Sequence, residues 1–124
     1  ICKSHGVLFH TDAVQTLEET ARKIREGSSV LLFAEGTRSS DGKLQAFKRG
    51  PFNLAVKAGI PVVPVTIIGS RGVLPRDSWQ VRSGTISVVV DSPIPAPGAN
   101  GKEAELQLRD RVREVITRNL DYKA

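Results

Sequence analysis

The chain has 124 residues, of which 40% are hydrophobic, and this length fits one domain with a modest core rather than two domains. The aromatic share of 5% argues against binding by bases stacked on aromatic side chains, and no stretch approaches the roughly 20 apolar residues of a membrane-spanning helix. The formal net charge of +5 favours anionic partners but does not choose among phosphorylated metabolites, nucleic acid and an acidic membrane surface.

The first residues carry few signals. Cys2 is the only cysteine, which excludes an intramolecular disulfide and a cysteine-based zinc site. The chain begins with Ile1 rather than Met, so we expect it to be a segment of a longer protein. Asp12 and Gln15 have the spacing of a capping box at a helix start. An amphipathic helix is then predicted to end near Gly27, with an apolar face made of Val14, Leu17, Ala21 and Ile24.

A polar motif follows the next apolar run. Residues 30–33 are strand formers and predict a buried strand of an α/β sheet, with Glu35, Gly36, Thr37 and Arg38 emerging just beyond its end. Gly36 allows a ligand to approach the backbone closely. Arg38 offers a planar set of donors suited to phosphate oxygens, and Glu35 could orient that guanidinium or a substrate hydroxyl.

A second anion-binding signal lies at a predicted helix start. Residues 39–42 form a turn signal, and Pro51 then stands just inside a helix that is expected to stop at Gly59. Lys48, Arg49 and Gly50 precede this helix. Its backbone donors, its dipole and the basic side chains would therefore converge on an anion.

The remaining elements complete a layered α/β pattern. A second strand is predicted over residues 62–68, with Pro61 and Pro64 at its start or edge, and a third over residues 85–90. We expect Trp79 to pack beneath the connection between them, with lipid contact as the alternative. A last helix is predicted over residues 103–120, and its arginines, Arg109, Arg111, Arg113 and Arg118, are expected to form a solvated face or, alternatively, a membrane-contacting one. The fold class is a mixed sheet flanked by helices.

The ordered blocks resemble the glycerolipid acyltransferase family, whose members include 1-acylglycerol-3-phosphate acyltransferases. Residues 33–39 are similar to the family's Phe-Pro-Glu-Gly-Thr-Arg-Ser block, with Ala34 in place of its proline. Residues 41–43 and 47–50 follow as the family has them, and residues 59–65 resemble its apolar proline block. The resemblance covers residues 16–120, and it implies that the chain is the carboxyl-terminal part of one acyltransferase domain.

The resemblance implies transfer of an acyl group from acyl-CoA or acyl carrier protein to glycerol 3-phosphate or lysophosphatidate. It assigns acceptor binding to Glu35, Gly36, Thr37, Arg38, Lys48 and Gly50, with Phe33, Ser39, Pro61 and Pro64 in support. It also implies peripheral contact with the cytoplasmic face of a membrane. Neither a cofactor, a metal nor a nucleic acid is expected as a partner.

The family's catalytic His-x-x-x-x-Asp block is missing from this sequence. Its histidine would take the proton of the acceptor hydroxyl while its aspartate orients the imidazole. Neither His5 nor His10 is followed by an aspartate at that spacing. We therefore expect a chain that binds the acceptor but is inactive alone.

Residues 1–15 resemble a segment of the cysteine desulfurases, in which the matching Asp12 and Gln15 would contact pyridoxal phosphate. The histidine-lysine block that supplies the Schiff-base lysine of that family is absent, and the likeness stops at Gln15. A junction near Gln15 would explain this, and chance similarity is the alternative. A noncatalytic basic module that binds anionic membrane or nucleic acid remains the second hypothesis for the whole chain.

Overall fold

The computed structural model describes residues 15–36, 39, 41–75 and 78–122. In chain order, the elements are α1 (Gln15–Arg25), α2 (Gly50–Ala58), β1 (Val65–Ile68), α3 (Ser70–Val73), β2 (Ser87–Val90) and α4 (Lys102–Tyr122). The fold class is α/β, as the sequence predicts. Within the described ranges, the sheet consists of two antiparallel strands.

The core lies where α2 packs against α4. Leu108 is fully buried, and Phe52, Val56 and Val112 surround it with less than a twentieth of their surface exposed. Local signals fix the bounds of α2, since Pro51 stands in its first turn and Gly59 ends it with a left-handed φ of 64°. Leu108 and Val112 of α4 recur at helical spacing, and they pack against the buried side chains of α2.

The sheet packs one face towards α4 and leaves the other open. Thr66 is buried, and Asn119 of α4 donates hydrogen bonds from Nδ2 to Thr66 Oγ1 at 3.0 Å and to Asp91 Oδ2 at 2.6 Å. On the opposite face Ile67 pairs with Val88, and both side chains are about half exposed. This contrast follows from the alternation of side chains along a strand.

The predicted buried strand at residues 30–33 is wrong. This segment has no regular secondary structure and makes no strand pairing within the described part of the chain, and Leu31 and Phe33 are 43% and 65% exposed. A run of strand formers becomes a strand only when a neighbouring strand pairs with its backbone. The polar motif therefore follows an irregular segment rather than a strand of the observed sheet.

The connection from β1 to β2 contradicts the expectation for Trp79. The indole is fully exposed and does not pack beneath the connection. The interior of this segment is closed by its own backbone, because the Arg82 N–H donates to the Val73 carbonyl at 2.8 Å. Val73 also occupies the space beside Gly84, where an added Cβ would lie 3.0 Å from its Cγ2.

Candidate functional site

Two loops named by the sequence motifs lie side by side. The Lys48 N–H donates to the Ala34 carbonyl at 2.7 Å, and the Gln45 N–H donates to Glu35 Oε2 at 2.7 Å. Glu35 is half-buried, and its carboxylate thus holds the second loop through a backbone donor. The structure therefore brings residues 34–36 and 45–48 together into one surface.

Gly36 forms the turn at this surface. Its φ is 73°, a left-handed value that favours glycine, and its N–H donates to the Phe33 carbonyl at 3.1 Å. The aliphatic stem of Lys48 crosses directly over it, since a Cβ added to Gly36 would lie 2.9 Å from Lys48 Cε. The lysine side chain is exposed. Glycine at this position therefore allows both the turn and the approach of a cationic side chain.

A compact turn follows the motif, as predicted. Ser39 Oγ donates to Asp41 Oδ1 at 2.9 Å, and the Lys43 N–H donates to the same oxygen at 3.0 Å. The backbone donor of Lys43, followed by the Ser39 hydroxyl, lowers the pKa of Asp41 below its ordinary value. The Arg71 side chain of α3 lies against Gly42 in this turn. The turn is thus fixed from within and contacted by the connection that follows β1.

The start of α2 already holds a carboxylate from α4. Arg49 donates from Nε to Glu105 Oε2, and Asn53 donates from Nδ2 to Glu105 Oε1 at 2.6 Å. Glu105 is only 3% exposed. The bond from Arg49 lowers the pKa of this carboxyl and outweighs burial, which acts to raise it. Arg49 is therefore engaged with a carboxylate of the chain itself, its contact with an external anion stays a prediction, and Lys48 is the neighbouring cation.

Arg113 also departs from its prediction. The sequence predicts it on a solvated or membrane-contacting face of α4, but it donates from Nη1 to the Gln45 carbonyl at 2.5 Å and from Nη2 to the Leu44 carbonyl at 3.4 Å. Its guanidinium lies 5.3 Å from the centre of the Phe47 ring. Arg113 therefore anchors the loop that carries Lys48. Arg111 and Arg118 are exposed, in line with the expectation.

Sequence reasoning missed Glu105 as well as the role of Arg113. The signal for Glu105 was available, because residues 105, 108 and 112 recur at helical spacing and the last two are core leucine and valine. A charged residue at an apolar position is buried only when it is paired. That rule identifies Glu105 as a residue with a partner but does not name the partner.

The other predicted site residues have varied positions. Gly50 begins α2 and is half-buried, Pro64 is buried immediately before β1, Pro61 is exposed and Ser39 lies in the turn. Thr37, Arg38, His5, His10 and Asp12 lie outside the described residues, as does the side chain of Gln15. Among the described residues, no group of His, Cys, Asp or Glu side chains could hold a metal ion. In that same part of the chain, no helix is both long enough and apolar enough to cross a bilayer.

Comparisons with known proteins agree with the motif blocks. The family model described as Acyltransferase matches residues 2–68. A chloroplastic 1-acyl-sn-glycerol-3-phosphate acyltransferase, BAT2 of Brassica napus, is 37% identical over 87% of this chain and 30% of its own length. The human 1-acyl-sn-glycerol-3-phosphate acyltransferase alpha is 34% identical over 93% of this chain and 42% of its own length.

A solved structure is similar as well. The crystal structure of the 1-acyl-sn-glycerophosphate (LPA) acyltransferase PlsC from Thermotoga maritima has a TM-score of 0.77 and is 35% identical. The likeness covers 86% of this chain and 44% of that one. The chain thus spans less than half the length of each of these relatives.

Proposed function

The chain belongs to the acyltransferase family, and from that premise we propose that the surface formed by residues 34–36 and 45–48 binds the phosphate of 1-acylglycerol 3-phosphate for acylation. The observation that carries this proposal is the position of Lys48, whose side chain crosses Gly36 within the glutamate-glycine turn. A cation held over an open backbone turn suits a phosphate monoester. The named acceptor of the relatives has that chemistry.

Each motif residue has a distinct proposed role. Arg38 and Lys48 bind the phosphate oxygens, Arg38 through its planar donors and Lys48 as a point charge. Thr37 donates a hydroxyl, and Glu35 keeps the two loops in register through the Gln45 N–H. Gly50 begins the helix beside this site, while Phe33, Ser39, Pro61 and Pro64 support it. The acyl donor is acyl-CoA or acyl carrier protein, and no cofactor is required.

Acyl transfer also needs a base. The acceptor hydroxyl must lose its proton as its oxygen attacks the thioester carbonyl, from which the thiol then leaves. The sequence has no His-x-x-x-x-Asp spacing to supply that base. We therefore expect this chain to bind the acceptor without turnover. Because the acceptor is a lipid and the chain carries net charge +5, we also propose that it works at the cytoplasmic face of a membrane.

Calorimetric titration tests this proposal with a short-chain lysophosphatidate below its micelle concentration. Lys48→Ala and Arg38→Ala should each weaken binding about tenfold or more, because each removes a charge-assisted bond to phosphate. Arg111→Ala is the matched control, since Arg111 is exposed on α4. Glycerol 3-phosphate should give the same order of effects. Equal losses in all three variants would mean general charge attraction and would refute the site.

The second hypothesis, a basic module acting through α4, receives less support. Arg113 is engaged with the loop at residues 44–47, and Arg109 pairs with its neighbour Asp110 at 2.8 Å. A depression along the helix is lined by Glu114 and Asp121 as well as by arginines. Its surface is therefore mixed in charge. Vesicle or oligonucleotide binding that survives Arg38→Ala but is lost when the α4 arginines are neutralised would favour this hypothesis.

A further inference from the structure

We propose that the segment between β1 and β2, residues 69–75 and 78–86, is a docking surface for a bilayer rich in anionic phospholipid. We call this segment the projection. The claim that it serves acyl transfer rests on the proposed function, whereas the claim that it binds a bilayer does not. Four observations, on its bracing, exposure, charge and position, support the inference.

The projection is braced at its base and along its length. Gly69, with a φ of 87°, passes so close to the Thr85 carbonyl that no side chain fits between them. Further out, the Arg82 N–H donates to the Val73 carbonyl at 2.8 Å. Residues beyond this bond are therefore presented by an ordered support rather than by a loop held only at its ends.

Three large apolar residues at or beyond the brace are exposed. Trp79 is fully exposed, and Val81 is 72% exposed. Leu74, next to the brace, is 37% exposed. A buried indole contributes a large apolar area, while its N–H prefers a polar neighbour, so tryptophan suits the boundary between acyl chains and headgroups. While they are exposed to water, these side chains contribute no burial free energy to the stability of the fold.

The charge of the segment fits an anionic surface. Over residues 69–86 the sequence has three arginines and one aspartate. Arg82 is exposed next to Val81, so a cation and an apolar side chain are adjacent at the same end of the projection. This combination favours anionic bilayers, because apolar burial and attraction to lipid phosphates add together.

The position of the projection links it to the candidate acceptor site. The Arg71 side chain at its base lies against Gly42, in the turn that follows the glutamate-glycine motif. A bilayer bound by Trp79 and Val81 would therefore meet the molecule on the element that contacts the turn between the two acceptor-binding loops.

The experiment uses Trp79 itself, the only tryptophan of the chain, as the probe. Vesicles of phosphatidylglycerol mixed with phosphatidylcholine should shift its fluorescence to the blue, and lipids brominated along the acyl chain should quench it. Pure phosphatidylcholine should bind more weakly, and added salt should reduce binding to the anionic vesicles. An unchanged emission spectrum for protein that co-sediments with vesicles would overturn the proposal.

Variants separate the projection from the exposed face of the sheet. Trp79→Ala, measured by co-sedimentation, should weaken vesicle binding roughly tenfold or more, and Val81→Ser should weaken it several-fold. Val90→Ser is the matched control, because Val90 is 66% exposed on the outer face of β2 and should leave binding unchanged. Circular dichroism verifies that each variant is folded. Equal losses for Val81→Ser and Val90→Ser would refute the proposal.

Two further outcomes are informative. A blue shift without vesicles that disappears on dilution would show that a second copy of the chain covers Trp79, and would overturn the bilayer proposal. Titration with short-chain lysophosphatidate separates the two proposals of function. If the unaltered chain fails to bind this acceptor but still binds anionic vesicles through Trp79, the proposed function fails and the docking surface stands. The reverse result refutes the docking surface alone.

Discussion

Replacement of Glu105 by glutamine tests the contact that fixes the start of α2. In the native chain, one carboxylate oxygen accepts from Arg49 and the other from Asn53. Glutamine has nearly the same volume, but its amide nitrogen would face one of these two donors. One of the two hydrogen bonds to the carboxylate is then lost, at a cost of about 1.5–3 kcal/mol. The glutamine N–H group also faces the N–H group of Arg49 or Asn53, so two donors meet without an acceptor.

The partial exposure of Arg49 limits the free-energy cost of this substitution. The Arg49 side chain is 53% exposed, so water recovers part of its lost bonding, whereas the Glu105 side chain is only 4% exposed. We therefore expect Glu105→Gln to lower the free energy of unfolding by about 2 kcal/mol. For a domain of this size, the melting temperature should fall by about 5–10 °C.

The effect should depend on pH in a defined direction. Because the pKa of Glu105 is lowered in the folded state, its stabilising contribution is complete above the ordinary value of 4.5. That contribution is lost as the pH falls through the lower folded-state pKa. The difference between the native chain and Glu105→Gln should therefore be largest near neutral pH and shrink in acid.

Urea unfolding followed by circular dichroism measures this difference at several pH values. Asp110→Asn is the control, since the Asp110 side chain is 63% exposed and pairs with its neighbour Arg109 on the same helix. It should change stability by less than about 0.5 kcal/mol. If Glu105→Gln costs no more than Asp110→Asn, or if its cost is the same in acid, the buried pair does not stabilise the fold as described.

Two further substitutions test the loop contacts at the candidate site. Gly36→Ala should cost about 1–2 kcal/mol in unfolding free energy, because of its left-handed φ, and should weaken lysophosphatidate binding by displacing Lys48. Gly98→Ala is its control, with no atom within 4 Å of an added Cβ, and equal costs would contradict this explanation. Arg113→Lys should keep the charge but lose the paired bonds to two carbonyls, which lowers stability by about 1 kcal/mol and weakens acceptor binding in titration. Unchanged binding by a folded Arg113→Lys variant would show that this anchor is not needed at the site.

Local sequence signals predicted α1, α2 and α4 but not the short α3, which lies in a connection that was expected to be irregular. Pro51 and Gly59 limit α2 because each acts through its own backbone, and the apolar spacing that includes Leu108 and Val112 places α4. Residues 30–33 were predicted wrongly because a strand depends on a pairing partner that its own composition does not reveal.

The site was only partly predictable for a similar reason. The glutamate-glycine turn at residues 34–36 and the basic loop at residues 45–48 were each identified from their own residues. The order of the motifs in the chain indicated that the two belong to one site. The bonds that anchor this region to α4 cross more than fifty positions of sequence, as between Arg49 and Glu105 or between Gln45 and Arg113. No local pattern contains such pairings. Trp79 was misassigned because large aromatic side chains are usually packed, and the bracing of its connection is invisible in the sequence.

The long reach of α4 has a consequence for how the chain is made. At about 1.5 Å per residue, this 21-residue helix extends about 30 Å and contacts α2, the basic loop and the sheet in turn through Glu105, Arg113 and Asn119. All three partners are synthesised earlier. During synthesis, the glutamate-glycine turn must therefore wait for α4 to emerge from the ribosome before the contacts that support it can form. Until then, the apolar side chains that α4 covers in the folded chain are exposed and can bind chaperones.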